Sequence, residues 1–253
     1  MTGAASTPHE PTLTGPAITH DHPDVNSGWL RASVFGAMDG LVSNFALIAG
    51  MVGGTTAAGG DDAQLVVLAG VAGLAAGAFS MAAGEYTSVA SQSEYALAQV
   101  AKERHEIIAN PHAERAELVA MYVHKGIRRR TAEAMANEIH SDVDRAVQVH
   151  AMEEFGVDPD DVPSPIVAAV SSFVSFSLGA SVPLVPFLLG MTEMTGLWAA
   201  LVSTLTALFV CGAIVAKVTV RSWWWSGLRQ MLLGGAAAVV TYVFGSLVGA
   251  GLG

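Results

Sequence analysis

Charge is scarce in this chain, and the scarcity is uneven. Of 253 residues, 13% are charged and 52% are hydrophobic, whereas soluble domains carry about 25% charged residues. Residues 32–60 hold a single charge, Asp39, and four later runs hold none: 63–84, 162–192, 194–216 and 230–253. Each run exceeds the roughly 20 apolar residues that cross a ~30 Å bilayer core.

These runs predict an all-α membrane protein. We expect five transmembrane helices per subunit, near 32–54, 64–90, 165–189, 196–218 and 229–251. A large buried soluble core is disfavoured, because soluble helices alternate polar and apolar faces and these runs do not.

Other absences narrow the function. The single cysteine, Cys211, excludes an intramolecular disulfide and a Cys-cluster zinc site. No GxxxxGK[ST] motif occurs, which disfavours ATP-driven chemistry. Residues 1–28 lack the basic and apolar regions of a signal peptide. We expect a disordered tail there, with His9, His20 and His22 either solvated or binding metal weakly. We expect no permanent cofactor and no nucleic-acid partner.

The positive charges predict an orientation. All twelve Lys and Arg fall on one side of the five spans: Arg31 before the first, eight between the second and third, and Lys217, Arg221 and Arg229 beside the connection between the last two. Because Lys and Arg resist translocation, the N-terminus and the insert are expected to be cytoplasmic and the C-terminus outside. With no organelle signal, we expect a cell (plasma or inner) membrane.

The predicted domains follow from this layout. Residues 1–28 form the tail, 29–92 the first two spans, 93–161 a cytoplasmic helical insert and 162–253 the last three spans. The insert holds 14 of the 22 acidic residues. It predicts three helices: one continuing from the second span to about 109, one near 112–125 and one near 131–155.

Asp39 is the first candidate functional residue. It lies eight residues after Arg31, roughly 12 Å along a helix, where a carboxylate is costly unless it faces a cavity or a pathway. A structural role with Asn44 as partner is the alternative. Gly36 and Gly40 flank it with the spacing that allows close helix approach. Met81 and Glu85 share one face of the second span, with Met81 at a depth similar to Asp39 and Glu85 near the interface, and a thioether beside carboxylates suits a borderline-soft cation such as Fe²⁺. Core packing of Met81 and a solvated Glu85 are the alternatives.

The insert carries paired carboxylates. Glu103 with Glu106 and Glu114 with Glu117 are i,i+3 pairs, and the turn at Pro111 brings the two helices together. On the third helix, His150 and Glu154 are i,i+4, with Glu153 adjacent. Such a set is suited to Fe²⁺, Mn²⁺ or Zn²⁺. An ordinary solvated face is the alternative.

Several blocks together resemble the vacuolar iron transporter family of ferrous-ion/proton exchangers. They are DGLVSNFALIAG, SMAAGEYTSVASQSE, the double ExxE pattern, SFSLGASVPLVPFLL and SGLRQMLLGGAAAVVTYVFG. The resemblance covers about residues 28–253. It implies a homodimer in the lipid bilayer that exchanges metal for protons, a path through Asp39, Met81 and Glu85, and metal loading by Glu103, Glu106, Glu114, Glu117 and Glu154.

One position departs from the family. Where its third insert helix can carry methionines, this chain has His150 and Ala151, with Met152 beside them. The expectation is a non-enzymatic exporter of Fe²⁺, with Mn²⁺ as another substrate. The alternative is a membrane-anchored, ferritin-like di-iron oxidase or an iron-sequestering protein, although such sites want Glu-x-x-His motifs and the insert has none.

Overall fold

The computed structural model describes residues 28–218 and 222–252, and within these ranges the chain is helical, without strands. The tail histidines and Arg221 lie outside the described residues. The helices are α1 (Gly28–Ala57), α2 (Ala63–Ala109), α3 (Pro111–His124), α4 (Arg129–Ile139), α5 (Val143–His150) with a π-helical turn (Ala151–Phe155), α6 (Pro165–Ser181), α7 (Val185–Leu188), α8 (Glu193–Val218) and α9 (Trp223–Leu252).

Four helices in the described ranges are long and apolar enough to cross a membrane: α1, α2, α8 and α9. They confirm four of the predicted spans as single helices. The third predicted span, 165–189, is divided instead. Its α6 has 17 residues and ends at Ser181, and the short α7 follows after a turn. The prolines cause the division, because Pro183 has no N–H to continue the helical ladder.

The first helix is the centre of the bundle. It packs along α6 and α9 and also contacts α2 and α8. Small residues set the spacing: a Cβ on Gly36 would lie 2.8 Å from the Ser172 carbonyl oxygen, and a Cβ on Gly40 would lie 2.8 Å from the Ala180 nitrogen. The predicted close approach at these two glycines is confirmed, and the partner helix is α6.

Buried hydrogen bonds connect the helices at the end of the bundle away from the insert. Glu193, at the start of α8, is buried. Thr55 Oγ1 donates to one carboxylate oxygen at 2.8 Å, and the Asp62 backbone N–H donates to the other at 2.8 Å. Both oxygens are therefore satisfied, and α8 is fixed to the connection between α1 and α2.

The second helix links the bundle to the polar insert. Its 47 residues span roughly 70 Å at 1.5 Å per residue, about twice a bilayer core. Its second half carries Glu103 and Glu106 beyond the apolar run. Pro111 then begins α3 at the first helical position, where proline is favourable, and α3 folds back.

The predicted third insert helix, 131–155, is not continuous. It breaks after Ile139 into α4 and α5, and Asp142 caps α5 by accepting a hydrogen bond from the Arg145 backbone N–H at 3.0 Å. That bond lowers the pKa of Asp142. The Ser-Asp sequence at 141–142 is a helix-start signal that the charged pattern around it obscured.

Candidate metal sites on the second helix

A groove between α1 and α2 brings two predicted residues together. Asp39 and Met81 line one cavity of about 260 Å³. Its lining is completed by Ser43, Asn44, Leu47, Gly73, Gly77, Ser80 and Phe176. Hydroxyl, amide, carboxylate and thioether groups therefore converge within an otherwise apolar bundle. Since Ser43 and Ser80 are exposed, the groove opens at the surface of the single chain.

Two positions on α2 that lack side chains let the residues of the groove pack closely against this helix. A Cβ on Gly73 would lie 3.0 Å from Asn44 Oδ1, and a Cβ on Gly77 would overlap the Phe176 ring. A larger residue at either position would displace Asn44 or Phe176, which line the same cavity as Asp39 and Met81.

Glu85 lies apart from the groove lining. Its carboxylate is buried and accepts a hydrogen bond from the Arg31 guanidinium at 2.8 Å. Glu85 is one helical turn beyond Met81, so the ion pair lies at the end of the groove nearest the insert. Glu85 therefore lies beyond the groove lining, on the side of the insert, and not beside Asp39.

The insert contains a compact acid–histidine cluster, formed by Glu103, His150 and Glu154. One potential ligand atom from each lies within 4.8 Å of the others. His150 is fully buried, and its Nδ1 lies 3.0 Å from Glu103 Oε1 and 3.1 Å from Glu154 Oε1. The Glu154 contact has hydrogen-bond geometry, whereas Glu103 Oε1 has no hydrogen-bond partner in the part of the chain that the structure describes. The cluster therefore holds an unsatisfied, buried acceptor.

Burial and like charge shape the electrostatics of this cluster. Burial, followed by repulsion from Glu154, Glu114, Glu106 and Glu117, raises the pKa of Glu103 to about 7. Burial and the neighbouring Glu117 likewise raise the pKa of Glu114. A divalent cation would relieve both effects, because it neutralises carboxylates that otherwise repel one another.

The remaining predicted ligands surround the cluster at different distances. Glu114 is buried, and Glu106 is half-buried with Lys102 Nζ 3.4 Å from one oxygen. Glu117 is exposed. Glu153 is ion-paired with Lys125, which occupies its carboxylate outside the triad. The structure thus concentrates the site on Glu103, His150 and Glu154, with Glu114 and Glu106 beside it.

Sequence reasoning missed His140. Its Nε2 lies 3.1 Å from His150 Nε2, and the two rings meet edge to face. In one continuous helix these residues would be about 15 Å apart; the break at 140–142 brings them together. Burial, His150 and Arg115 lower the pKa of His140, which favours the neutral ring.

The fold and these two clusters define a class: a polytopic helical protein with oxygen, nitrogen and sulfur donors suited to divalent transition metals. The chain belongs to the VIT family, whose model matches residues 30–246.

Its relatives include proteins named vacuolar iron transporter. The one from Toxoplasma gondii is 32% identical over 90% of this chain and 77% of its own length. The Acanthamoeba castellanii protein is 39% identical over 62% of this chain, and the match spans 55% of that protein. Vacuolar iron transporter 1 of Arabidopsis thaliana is 27% identical over 87% of this chain and 86% of its own length.

Proposed function

We propose that this protein is a membrane transporter that moves Fe²⁺ out of the cytosol, with Mn²⁺ as a second substrate, in exchange for protons. One observation carries the proposal: Asp39 and Met81, which the sequence predicts to lie at similar depth, line the same cavity between α1 and α2. A carboxylate within an apolar bundle is costly unless an ion path requires it. The relatives' names describe iron transporters, which supports transport rather than enzymatic chemistry.

The proposed topology has five spans and a cytoplasmic insert. The third span is α6 with α7, because their 17 and 4 helical residues together cover roughly 32 Å. The all-on-one-side distribution of Lys and Arg supports a cytoplasmic insert. The relatives are named for the vacuole, and the membrane of this chain is proposed to be the cell membrane.

The insert is proposed to collect the metal. Glu103, His150 and Glu154 offer one imidazole nitrogen and two carboxylates, and Glu106, Glu114 and Glu117 add negative charge around them. The negative field concentrates cations near α2. The ion then travels along α2, past the Arg31–Glu85 pair, to Met81 and Asp39.

Protons are proposed to compete with the metal for the same groups. Carboxylates must be deprotonated to bind a cation, so metal binding releases protons and acid displaces metal. A protein that exposes Asp39 alternately to the two sides would thereby exchange one for the other. A homodimer is part of the proposal, since a second subunit placed over the open groove would enclose the ion.

The test is uptake of Fe²⁺, Mn²⁺, Zn²⁺ and Mg²⁺ by proteoliposomes, with and without a pH gradient. We expect uptake of Fe²⁺ and Mn²⁺ that a pH gradient accelerates. Asp39→Asn should abolish this uptake. Glu133→Gln, at a surface ion pair with Arg129, should leave it unchanged. Full uptake by Asp39→Asn would remove the pathway assignment. Oxygen consumption on adding Fe²⁺, without uptake, would favour the di-iron oxidase.

A further inference from the structure

Asn44 holds a buried acceptor without a partner beside the groove. Its side chain is 2% exposed. Nδ2 donates a hydrogen bond to the Ala180 carbonyl oxygen at 2.7 Å. Oδ1, by contrast, has no hydrogen-bond partner among the described residues. Buried polar atoms are paired in the large majority of cases, so this oxygen requires an explanation.

The orientation of the amide is fixed by its neighbour. A carbonyl oxygen only accepts hydrogen bonds, so the Asn44 atom that faces Ala180 must be the NH₂ group. Exchanging the two atoms would set two acceptors against each other at 2.7 Å. Oδ1 therefore faces α2, where a Cβ on Gly73 would lie 3.0 Å from it, and both residues line the cavity of Asp39 and Met81.

The break between α6 and α7 explains why a hydrogen-bond donor is needed at Asn44, but it does not explain the amide oxygen. Because Pro183 has no N–H and the Leu184 N–H bonds to Ser181 instead, the Ala180 carbonyl would be unpaired without Asn44. A donor alone meets this need. The amide oxygen adds nothing to it and would be costly to bury unless something binds to it.

We propose that Asn44 Oδ1 is a further ligand for the transported cation, in the same groove as the Asp39 carboxylate and the Met81 thioether. This inference rests on the proposed transport function and adds to it a residue that determines ion preference. Amide oxygens are good ligands for Mn²⁺, whereas a thioether favours softer ions. The Asn44 oxygen therefore offsets the preference of the Met81 sulfur for softer ions. The hydrogen bond to Ala180 fixes the orientation of the Asn44 amide.

Two substitutions distinguish a metal-ligand role of Asn44 Oδ1 from the structural role of the Asn44–Ala180 hydrogen bond. Asn44→Leu removes both the donor and the acceptor. Gly73→Ala keeps the Asn44–Ala180 hydrogen bond and places a methyl group against Oδ1; it also crowds the end of the Leu47 side chain, which is partly exposed and able to move. Thr204→Val is the control, since Thr204 is a fully buried, unpaired hydroxyl on α8 outside the groove lining.

The experiment measures half-saturating concentrations of Mn²⁺ and Cd²⁺ for uptake by full-length protein in proteoliposomes. We expect Asn44→Leu and Gly73→Ala to raise the Mn²⁺ value about tenfold more than the Cd²⁺ value, and Thr204→Val to leave the ratio unchanged. An unchanged ratio of the Mn²⁺ and Cd²⁺ values in Gly73→Ala would overturn the ligand role. Asn44 would then have only a structural role, through its hydrogen bond to Ala180. If Asn44→Leu does not fold, Gly73→Ala decides alone. Wild-type protein that transports neither Fe²⁺ nor Mn²⁺ in the same assay would overturn the proposed function itself, whereas active wild type with unaltered variants overturns only this inference.

Discussion

Glu103 is a carboxylate whose protonation state changes near neutral pH. Its pKa lies at about 7, above the ordinary 4.5, because it is buried among other carboxylates. The neutral acid is therefore favoured below pH 7, and a metal ion must displace that proton. We expect the affinity of the full-length protein in detergent for Zn²⁺ to rise about tenfold per pH unit from pH 5.5 to 6.5 and to level off above pH 7. Isothermal titration calorimetry across this range measures it.

Glu103→Gln supplies the comparison for this pH dependence. A neutral amide cannot exchange a proton for metal, so the variant should bind more weakly and show a flatter profile. The folded-state pKa is raised, so the contribution of Glu103 to stability is greatest below pH 4.5 and is lost as the pH rises through 7. Metal-free wild type should therefore lose thermal stability relative to Glu103→Gln between pH 5 and 8. Parallel profiles for the two proteins would contradict the assignment.

His140 is expected to act through His150. An N–H of one ring and a lone pair of the other meet between their Nε2 atoms, and partners of this kind orient a metal-binding imidazole. His140→Ala should weaken Zn²⁺ binding at pH 7 about tenfold, with partial rescue by His140→Gln, which keeps a polar group. His105→Ala, an exposed position on α2, is the matched control. Equal affinities for the two alanine variants would show that His140 has no part in the site.

At the scale of helices, the packing of α1 on α6 depends on a surface without side chains. A Cβ on Gly40 would meet the Phe176 and Ala180 backbones, which cannot move aside as a side-chain end can. Overpacking of this kind costs about 1–3 kcal/mol, so Gly40→Ala should lower the thermal midpoint in detergent by several degrees. Gly84→Ala on α2, where no described atom beyond the neighbouring helix backbone lies within 4 Å of the added carbon, should be neutral or slightly stabilising. If both variants melt together, the close approach is not limiting.

The helices differ in how far their sequences reveal them. Apolar runs identify α1, α2, α8 and α9, because crossing a bilayer imposes length and composition at once. The break after Ile139 is harder to see, since one capping residue, Asp142, decides it within a charged stretch. His140 could not be placed for the same reason: its contact with His150 depends on the angle between α4 and α5. The groove was partly predictable, since depth along two helices matched Asp39 with Met81. The Asn44–Ala180 bond was not, because it spans 136 residues.

At the scale of the whole molecule, α2 connects the two candidate metal sites. A single helix of 47 residues carries Met81, Glu85 and Glu103, so Met81 and Glu103 lie about 33 Å apart along its axis. One rigid element thus joins the collecting cluster to the groove. The arrangement functions only if the insert and the groove entrance lie on the same side of the membrane as the metal supply.

That requirement makes topology a decisive measurement. In a Cys211→Ala background, single cysteines at Ala113 on α3 and at Ala58 after α1 probe the two sides, and both positions are exposed. With a membrane-impermeant maleimide, Ala58→Cys should react in intact cells, whereas Ala113→Cys should react only after permeabilisation, because the eight Lys and Arg of the insert favour a cytosolic location. Labelling of Ala113→Cys alone in intact cells would show that the orientation is the reverse of the proposed one, with the insert outside. The protein would then import metal and not export it. Labelling of both cysteines in intact cells would place the two segments on the same side of the membrane. That result would contradict the five-span topology, in which one span, α2, separates them.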